Sequence, residues 1–143
     1  MKGEVEQPQP KVGIGVMVLK DDKVLLGKRK GSHGEGEYAF PGGHLEYMES
    51  FAETAKREVK EETGLEVENI RFVCLVNLKK YAPKHYVHIG LAADWKDGRP
   101  RVMEPNKSEG WNWYDLDDLP TPRFETIDTT FEAYKTGKNY WDD

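Results

Sequence analysis

Three glutamates constrain this chain more than any other feature. Glu58, Glu61 and Glu62 lie at i, i+3 and i+4, so on a helix they share one side and repel one another unless a cation sits among them. The helix itself is well signalled: Ser50 with Glu53 three residues on makes a capping-box pattern, and Thr63-Gly64 supplies a C-terminal stop. At about 100° per residue, Phe51, Ala55 and Val59 make one apolar stripe with Ala52 at its flank. Glu62 falls almost over Phe51, with Glu58 and Glu61 beside it, whereas Lys56 and Lys60 take the far side. Taken alone, such a run is most often an ordinary acidic face. An acidic face kept for solubility, however, would sit with those lysines. Carboxylates bordering the core-facing stripe suit a hard divalent cation with oxygen ligands, Mg²⁺ or Mn²⁺.

Around this helix the pattern is mostly strand. Gly13 to Leu19 reads as a buried strand and Val24 to Leu26 as its partner, joined by a turn at Asp21-Asp22. Gly27 to Glu37 is rich in glycine and charge and reads as a surface loop. Tyr38 to Phe40 is a short extended piece, stopped by Pro41, Gly42 and Gly43. Ile70 to Leu78, His85 to Asp94 and Trp111 to Tyr114 read as further strands, and Thr126 to Tyr134 as an amphipathic helix with Ile127, Phe131 and Tyr134 on one face. The alternation puts Tyr86 with His88 on one strand face and His85 with Val87 on the other, so one pair should line a groove. Trp111 and Trp113 share a face and read as packing residues.

At 143 residues the chain is one domain with a real core. We read residues 1–11 as a flexible lead-in and residues 12–143 as the domain. No apolar run approaches the roughly 18 residues of a membrane span, and the N-terminal segment lacks the apolar stretch of a signal peptide. Cys74 is alone, which fits a reducing, cytoplasmic setting, and its apolar neighbours mark it as a buried thiol. The formal net charge of −5 argues against binding a nucleic-acid polymer by field alone.

Gly43, Glu49, Arg57-Glu58-Val59, Glu61-Glu62 and Gly64-Leu65 stand in one register, and in that register the chain resembles the Nudix hydrolases. The resemblance implies an α+β fold, an α/β/α sandwich around a mixed β-sheet, and hydrolysis of a pyrophosphate bridge with Mg²⁺, for which Mn²⁺ can substitute. Position by position it implies Glu58 and Glu62 as principal metal ligands, Glu61 as a further one, and the Gly42 backbone carbonyl beside them. Glu49 and Arg57 would pair as a brace. Glu61 or Glu62 would take the proton of the attacking water. Met48 departs from the glycine that many relatives carry before that glutamate, which bears on loop shape.

Outside this box, Val24 to Ser32, Phe40 to Glu46, Met103-Glu104-Pro105 and Glu109 to Trp113 resemble one branch of the family. That branch hydrolyses nucleoside triphosphates, including oxidised or modified ones, to monophosphate and pyrophosphate. By the same matching, Arg29 and His44 would contact phosphates and Phe124 would lie against the base. An isoprenoid diphosphate or a nucleotide sugar are the other substrates this resemblance leaves open, and a non-catalytic nucleotide sensor is the alternative from another class. Many relatives are homodimers, which makes a second copy an expected partner, although no pattern here marks a dimer surface.

Overall fold

The computed structural model describes residues 8–142. Most of the expected lead-in, residues 1–7, lies outside the described residues, and Lys11 already belongs to the first strand, β1 (Lys11–Lys20). A hairpin joins β1 to β2 (Lys23–Arg29) through Asp21 and Asp22 at φ 50° and 62°, a left-handed pair that short polar side chains tolerate. β1 then runs parallel to β6 (Tyr86–Asp97), in register from Lys11↔Tyr86 to Leu19↔Asp94. β5 (Glu66–Leu78) pairs antiparallel with β6, and the short β8 (Tyr140–Trp141) lies parallel to β5. On the other flank β2 carries β3 (Tyr38–Ala39) and β7 (Ser108–Asp115), both antiparallel, and β4 (Gly42–His44) pairs with β1. The result is one mixed sheet of eight strands in a single domain.

Period-two alternation divides the buried residues between two layers. Ile14, Val16 and Val18 of β1 join Ala55 and Val59 of α1 (Phe51–Thr63) in one cluster. Met17, with Val24 and Leu26 of β2, joins Ile127, Phe131 and Ala133 of α2 (Glu125–Thr136) in the other. A helix thus covers each face of the sheet, as the α/β/α expectation had it. Because both faces are covered, β1 is a near-continuous apolar run and not an alternating one. Cys74 is buried and unpaired. No helix among the described residues is long and apolar enough to cross a membrane.

Several local expectations need correction. β2 continues through Arg29 into the stretch read as loop, because Gly27 is paired on both sides, with Ala39 and with Trp111. β4 lies where a stop was expected: a Cβ on Gly42 would overlap the Ile14 carbonyl, so the glycine is what lets this strand close on β1. Phe51 is 48% exposed and Ala52 is exposed too, because burial on α1 starts with Thr54, whose hydroxyl is tied to Glu49 and to the Ser50 carbonyl. On α2, Tyr134 is 45% exposed, and Thr126, Thr130 and Ala133 complete the inner face with Ile127 and Phe131. Met48 adopts φ 66°, the left-handed conformation that its replacement of glycine makes costly.

Candidate active site

α1 is pinned at both ends, which fixes where its glutamates point. At the start the capping box is complete: the Ser50 hydroxyl accepts from the Glu53 amide at 3.0 Å and the Glu53 carboxylate accepts from the Ser50 amide at 2.8 Å, worth about 1 kcal/mol. At the end Gly64 caps in the left-handed conformation at φ 78°, with its amide on the Lys60 carbonyl. The carbonyl of Glu62, left without a helical partner, accepts from the Trp111 indole at 3.1 Å and from the Met103 amide at 3.2 Å. Trp111 is therefore more than packing. It ties β7 to the turn that carries Glu62, and a Cβ on Gly27 would strike its ring.

One cleft of about 570 Å³ collects the site. Of the box glutamates it receives Glu58 and Glu62 but not Glu61, which is exposed. The Glu58 carboxylate lies against the backbone of Gly43, where any Cβ would collide with it. Glu62 Oε2 accepts from the Gly42 amide at 3.2 Å. Burial, opposed by that amide and reinforced by the charges of Glu58 and Glu104, pushes the Glu62 carboxyl up to about 8. Burial raises Glu58 as well, against the pull of Arg57.

Arg57 is the hub of the acidic end. It grips Glu49 with both edges of its fork, Nε to Oε2 at 2.7 Å and Nη2 to Oε1 at 2.9 Å, and Nη2 also reaches the His44 carbonyl at 3.2 Å. Its Nη1 holds Glu58 Oε1 at 2.6 Å and Glu61 Oε2 at 3.3 Å. The Glu49 carboxylate further accepts from the Thr54 hydroxyl at 2.8 Å and the Glu46 amide at 3.0 Å. Hydrogen bonding from Arg57 is the largest of the causes that hold its carboxyl down at about 2.

Two groups of cleft residues were missed by the sequence reading as functional residues. Glu104 lines the cleft, and its Oε1 is buried without a hydrogen-bond partner, while Oε2 lies 3.6 Å from Lys107 Nζ. Lys28, Lys30, Lys84 and Lys107 also line the cleft beside Arg29. Among the described residues no three acidic, imidazole or thiol groups converge closely enough to grip a metal ion as they stand; Arg57 occupies part of the acidic set instead. The chemistry of the set nonetheless fits a hard dication. It offers buried carboxylate oxygens that burial makes reluctant to ionise, one of them unpartnered.

The opposite end of the cleft is aromatic. Arg29 should share the face of Leu25 by alternation, but the β2–β7 register shifts between Gly27 and Arg29, and its guanidinium lies 4.5 Å over the Phe124 ring. Its Nε donates to the His33 carbonyl at 2.8 Å. Burial lowers its proton affinity, against the pull of the nearby Glu62 charge. Phe124 is buried and stacked on Tyr81, centroids 4.4 Å apart and planes 2° from parallel. The Tyr81 hydroxyl donates to Glu37 at 2.9 Å and accepts the Glu125 amide at 2.9 Å, so it caps α2 where Phe124, at the N-cap, cannot. Tyr86 stacks against both His33 and His44, at 5.5 Å each, and its hydroxyl is 2.9 Å from His44 Nε2. Desolvation and neighbouring lysines lower His44, and desolvation with the Arg29 charge lowers His33 to about 4, so both rings are neutral at pH 7. Of the two pairs offered by the strand alternation, Tyr86 and His88 are the pair that lines the cleft.

This arrangement has close parallels among known proteins. The NUDIX domain family matches residues 9–134. An ADP-ribose pyrophosphatase of Methanocaldococcus jannaschii is 31% identical over 131 residues, 90% of this chain and 76% of that protein. An oxidized purine nucleoside triphosphate hydrolase of Mus musculus is 30% identical over 106 residues, 73% of this chain and 66% of that protein. A crystal structure of a MutT NUDIX hydrolase from Burkholderia pseudomallei, 34% identical, aligns with a TM-score of 0.83 over 88% of this chain and 98% of that one. With a matched segment that runs from β1 into α2, the complete glutamate register and this shared architecture, the chain belongs to the NUDIX domain family and is a Nudix hydrolase.

Proposed function

We propose that this chain is a Mg²⁺-dependent pyrophosphohydrolase, with Mn²⁺ able to substitute, that cleaves nucleoside triphosphates to the monophosphate and pyrophosphate. Oxidised or otherwise modified nucleotides fall within that class. The observation that supports it most is the composition of one cleft: carboxylates, five cationic side chains and aromatic rings line the same space. Carboxylates serve a metal, cations serve an oligophosphate, and aromatic rings serve a base.

In this reading Glu58 and Glu62, with the Gly42 carbonyl, would hold the metal, Glu61 would join from the exposed side, and Glu104 would add its unpartnered oxygen. The ion supplies charge neutralisation on the phosphate oxygens and a more acidic water. The water oxygen bonds to one phosphorus as the bond from that phosphorus to the bridging oxygen breaks, and pyrophosphate leaves with the electron pair. The proton goes to a box carboxylate, Glu61 or Glu62. Arg29 and His44 hold phosphate oxygens, the first as a cation and the second through a neutral imidazole. Phe124 backs the base, with Arg29 stacked on it. Arg57 and Glu49 act on the geometry of the glutamates alone.

The name of the archaeal relative favours a second reading, a nucleoside diphosphate linked to a sugar such as ADP-ribose. A panel of purified protein with Mg²⁺ and nucleoside triphosphates, their 8-oxo forms, ADP-ribose and geranyl diphosphate separates the cases. Monophosphate with pyrophosphate from triphosphates is the expected outcome. Turnover of ADP-ribose or geranyl diphosphate alone would overturn the substrate assignment and keep the metal chemistry. No turnover of any compound would return the chain to a nucleotide-binding role. Within the same panel Arg29→Ala is expected to raise KM about tenfold or more with a smaller effect on kcat, because phosphate binding is shared by ground and transition states.

A further inference from the structure

One ring in the cleft wall is chemically unfinished. His88 is only 7% exposed, and its Nε2 is buried without a hydrogen-bond partner. Among the described residues the only other such side-chain atom is Glu104 Oε1, at the acidic end of the same cleft. A buried ring nitrogen left unpaired is destabilising, so its persistence calls for a partner. The described residues supply none; the cleft that His88 lines is where one can enter.

The surroundings of His88 are cut to fit its ring. β1 presents Gly13 and Gly15 toward β6, where Gly13 faces His88 in the pairing register. A Cβ on Gly15 would stand 2.8 Å from His88 Cε1, and one on Gly13 would stand 3.2 Å from Tyr86. The two rings therefore lie down over bare backbone. Neither glycine has positive φ among those that do, so these positions keep glycine for space and not for backbone conformation. Ala39, Phe40, Leu78 and Phe124 line the same cleft and are apolar. His88 is the imidazole among them, and desolvation keeps it neutral by lowering it to about 4.

We propose that His88 is a specificity residue that reads the nucleobase, its Nε2 sharing a hydrogen bond with an exocyclic group on the base edge. This rests on the nucleotide reading above and deepens it. A neutral imidazole nitrogen either donates or accepts, according to tautomer, so the base it prefers reveals which tautomer is present. A prenyl chain at the same place would leave Nε2 unpaired and is disfavoured for that reason.

The test uses three purine nucleoside triphosphates that differ only in the exocyclic group: oxygen, an amino group, or hydrogen. For the wild-type protein kcat/KM is expected to be about 10- to 100-fold higher for the better of the first two than for the hydrogen analogue. His88→Phe, which keeps the ring and removes the nitrogens, is expected to bring that ratio to about twofold or less. His88→Gln, which restores a group able to donate and accept, is expected to recover most of it, and provides a second readout if the Phe variant folds poorly. A ratio that survives in His88→Phe, or that is lost equally in His88→Gln, overturns the assignment of His88 while leaving the nucleotide reading intact. A wild-type protein that neither cleaves nor binds any of the three overturns both.

Discussion

The two ends of the cleft are built in opposite ways. The acidic end is mostly local: β4, a loop and α1 run without a break from Gly42 to Glu62, Arg57 gathers Glu49, Glu58 and Glu61 within nine residues of itself, and Glu104 joins from the segment before β7. The aromatic end is assembled from far-apart pieces, with Arg29, His33, Tyr81, Tyr86 and Phe124 brought together by the β2 bulge, two loops, β6 and the start of α2. Chemistry that needs charges at fixed spacing is carried by one helix, whose own geometry sets that spacing. Selection of a substrate is left to contacts that depend on the whole sheet. Substitutions at the two ends should therefore separate into changes in turnover and changes in stability or preference.

The largest effect should come from Glu62→Gln. It keeps shape and the acceptor oxygen for the Gly42 amide but removes the charge, and kcat should fall by about 10²- to 10³-fold. Its effect on stability should run the other way in metal-free protein. A carboxyl raised from 4.5 to about 8 in the folded chain binds more protons folded than unfolded, so the wild type loses stability as pH rises from 4.5 to 8. The variant lacks that loss and should have a higher Tm at pH 8 in a chelator, with the difference shrinking near pH 5. Equal Tm profiles for the two proteins would show that Glu62 is not the strained carboxylate of this cleft.

Next is Arg57→Ala, which removes the brace and leaves the glutamates. A loss of about 10- to 100-fold in kcat is expected, as for groups that orient ligands from behind, with KM for the triphosphate little changed. The variant should also lose an acid-side signature. Glu49 is held down from 4.5 to about 2 chiefly by Arg57, so its contribution to wild-type stability is present above 4.5 and disappears as pH falls from there to 2. Urea titrations at pH 6 and pH 3 check this, since the gap between the two proteins should narrow at the lower pH.

The contrast also explains what the sequence made legible. The helix from Ser50 to Gly64, its capping box and the register of Glu49, Arg57 and the glutamates are local statements, and local physics suffices to read them. The strands and the two helices followed from periodicity and their α/β/α stacking from the resemblance, with strand ends off by a few residues where neighbours extend them, as at Arg29. Glu104 carried no signal beyond its place in a motif shared with relatives, because its orphaned oxygen exists only once the segment before β7 meets the end of α1, where the Met103 amide reaches the Glu62 carbonyl. His33 and Tyr81 sit in loops with no periodicity to reveal a direction. The role of Gly13 and Gly15 was hidden for a related reason: a missing side chain is informative only when its neighbour across the sheet is known.

Tyr81→Phe probes the assembled end directly. The change keeps the ring on Phe124 but deletes the hydroxyl that caps α2 and binds Glu37. A loss of about 1–2 kcal/mol in unfolding free energy is expected, from a missing cap and a Glu37 carboxylate without its donor. A shift within experimental error would mean that water replaces the hydroxyl, and that α2 is held by its buried face alone.

The smallest expected effect lies in the loop between the box glycine and the helix. Met48 is 82% exposed and adopts φ 66°, so its side chain contributes little packing while its Cβ strains the backbone by roughly 1–2 kcal/mol. Glycine removes that strain but gains freedom in the unfolded chain, at a cost of about 0.5–1 kcal/mol. Met48→Gly should therefore stabilise the protein by up to about 1 kcal/mol, read as a higher urea midpoint at unchanged m-value. Turnover should change little, because the Glu46 amide and the Arg57 fork already fix Glu49 on either side of the substituted residue. A destabilised variant would show instead that this exposed methionine is held by contacts the loop makes only in solution.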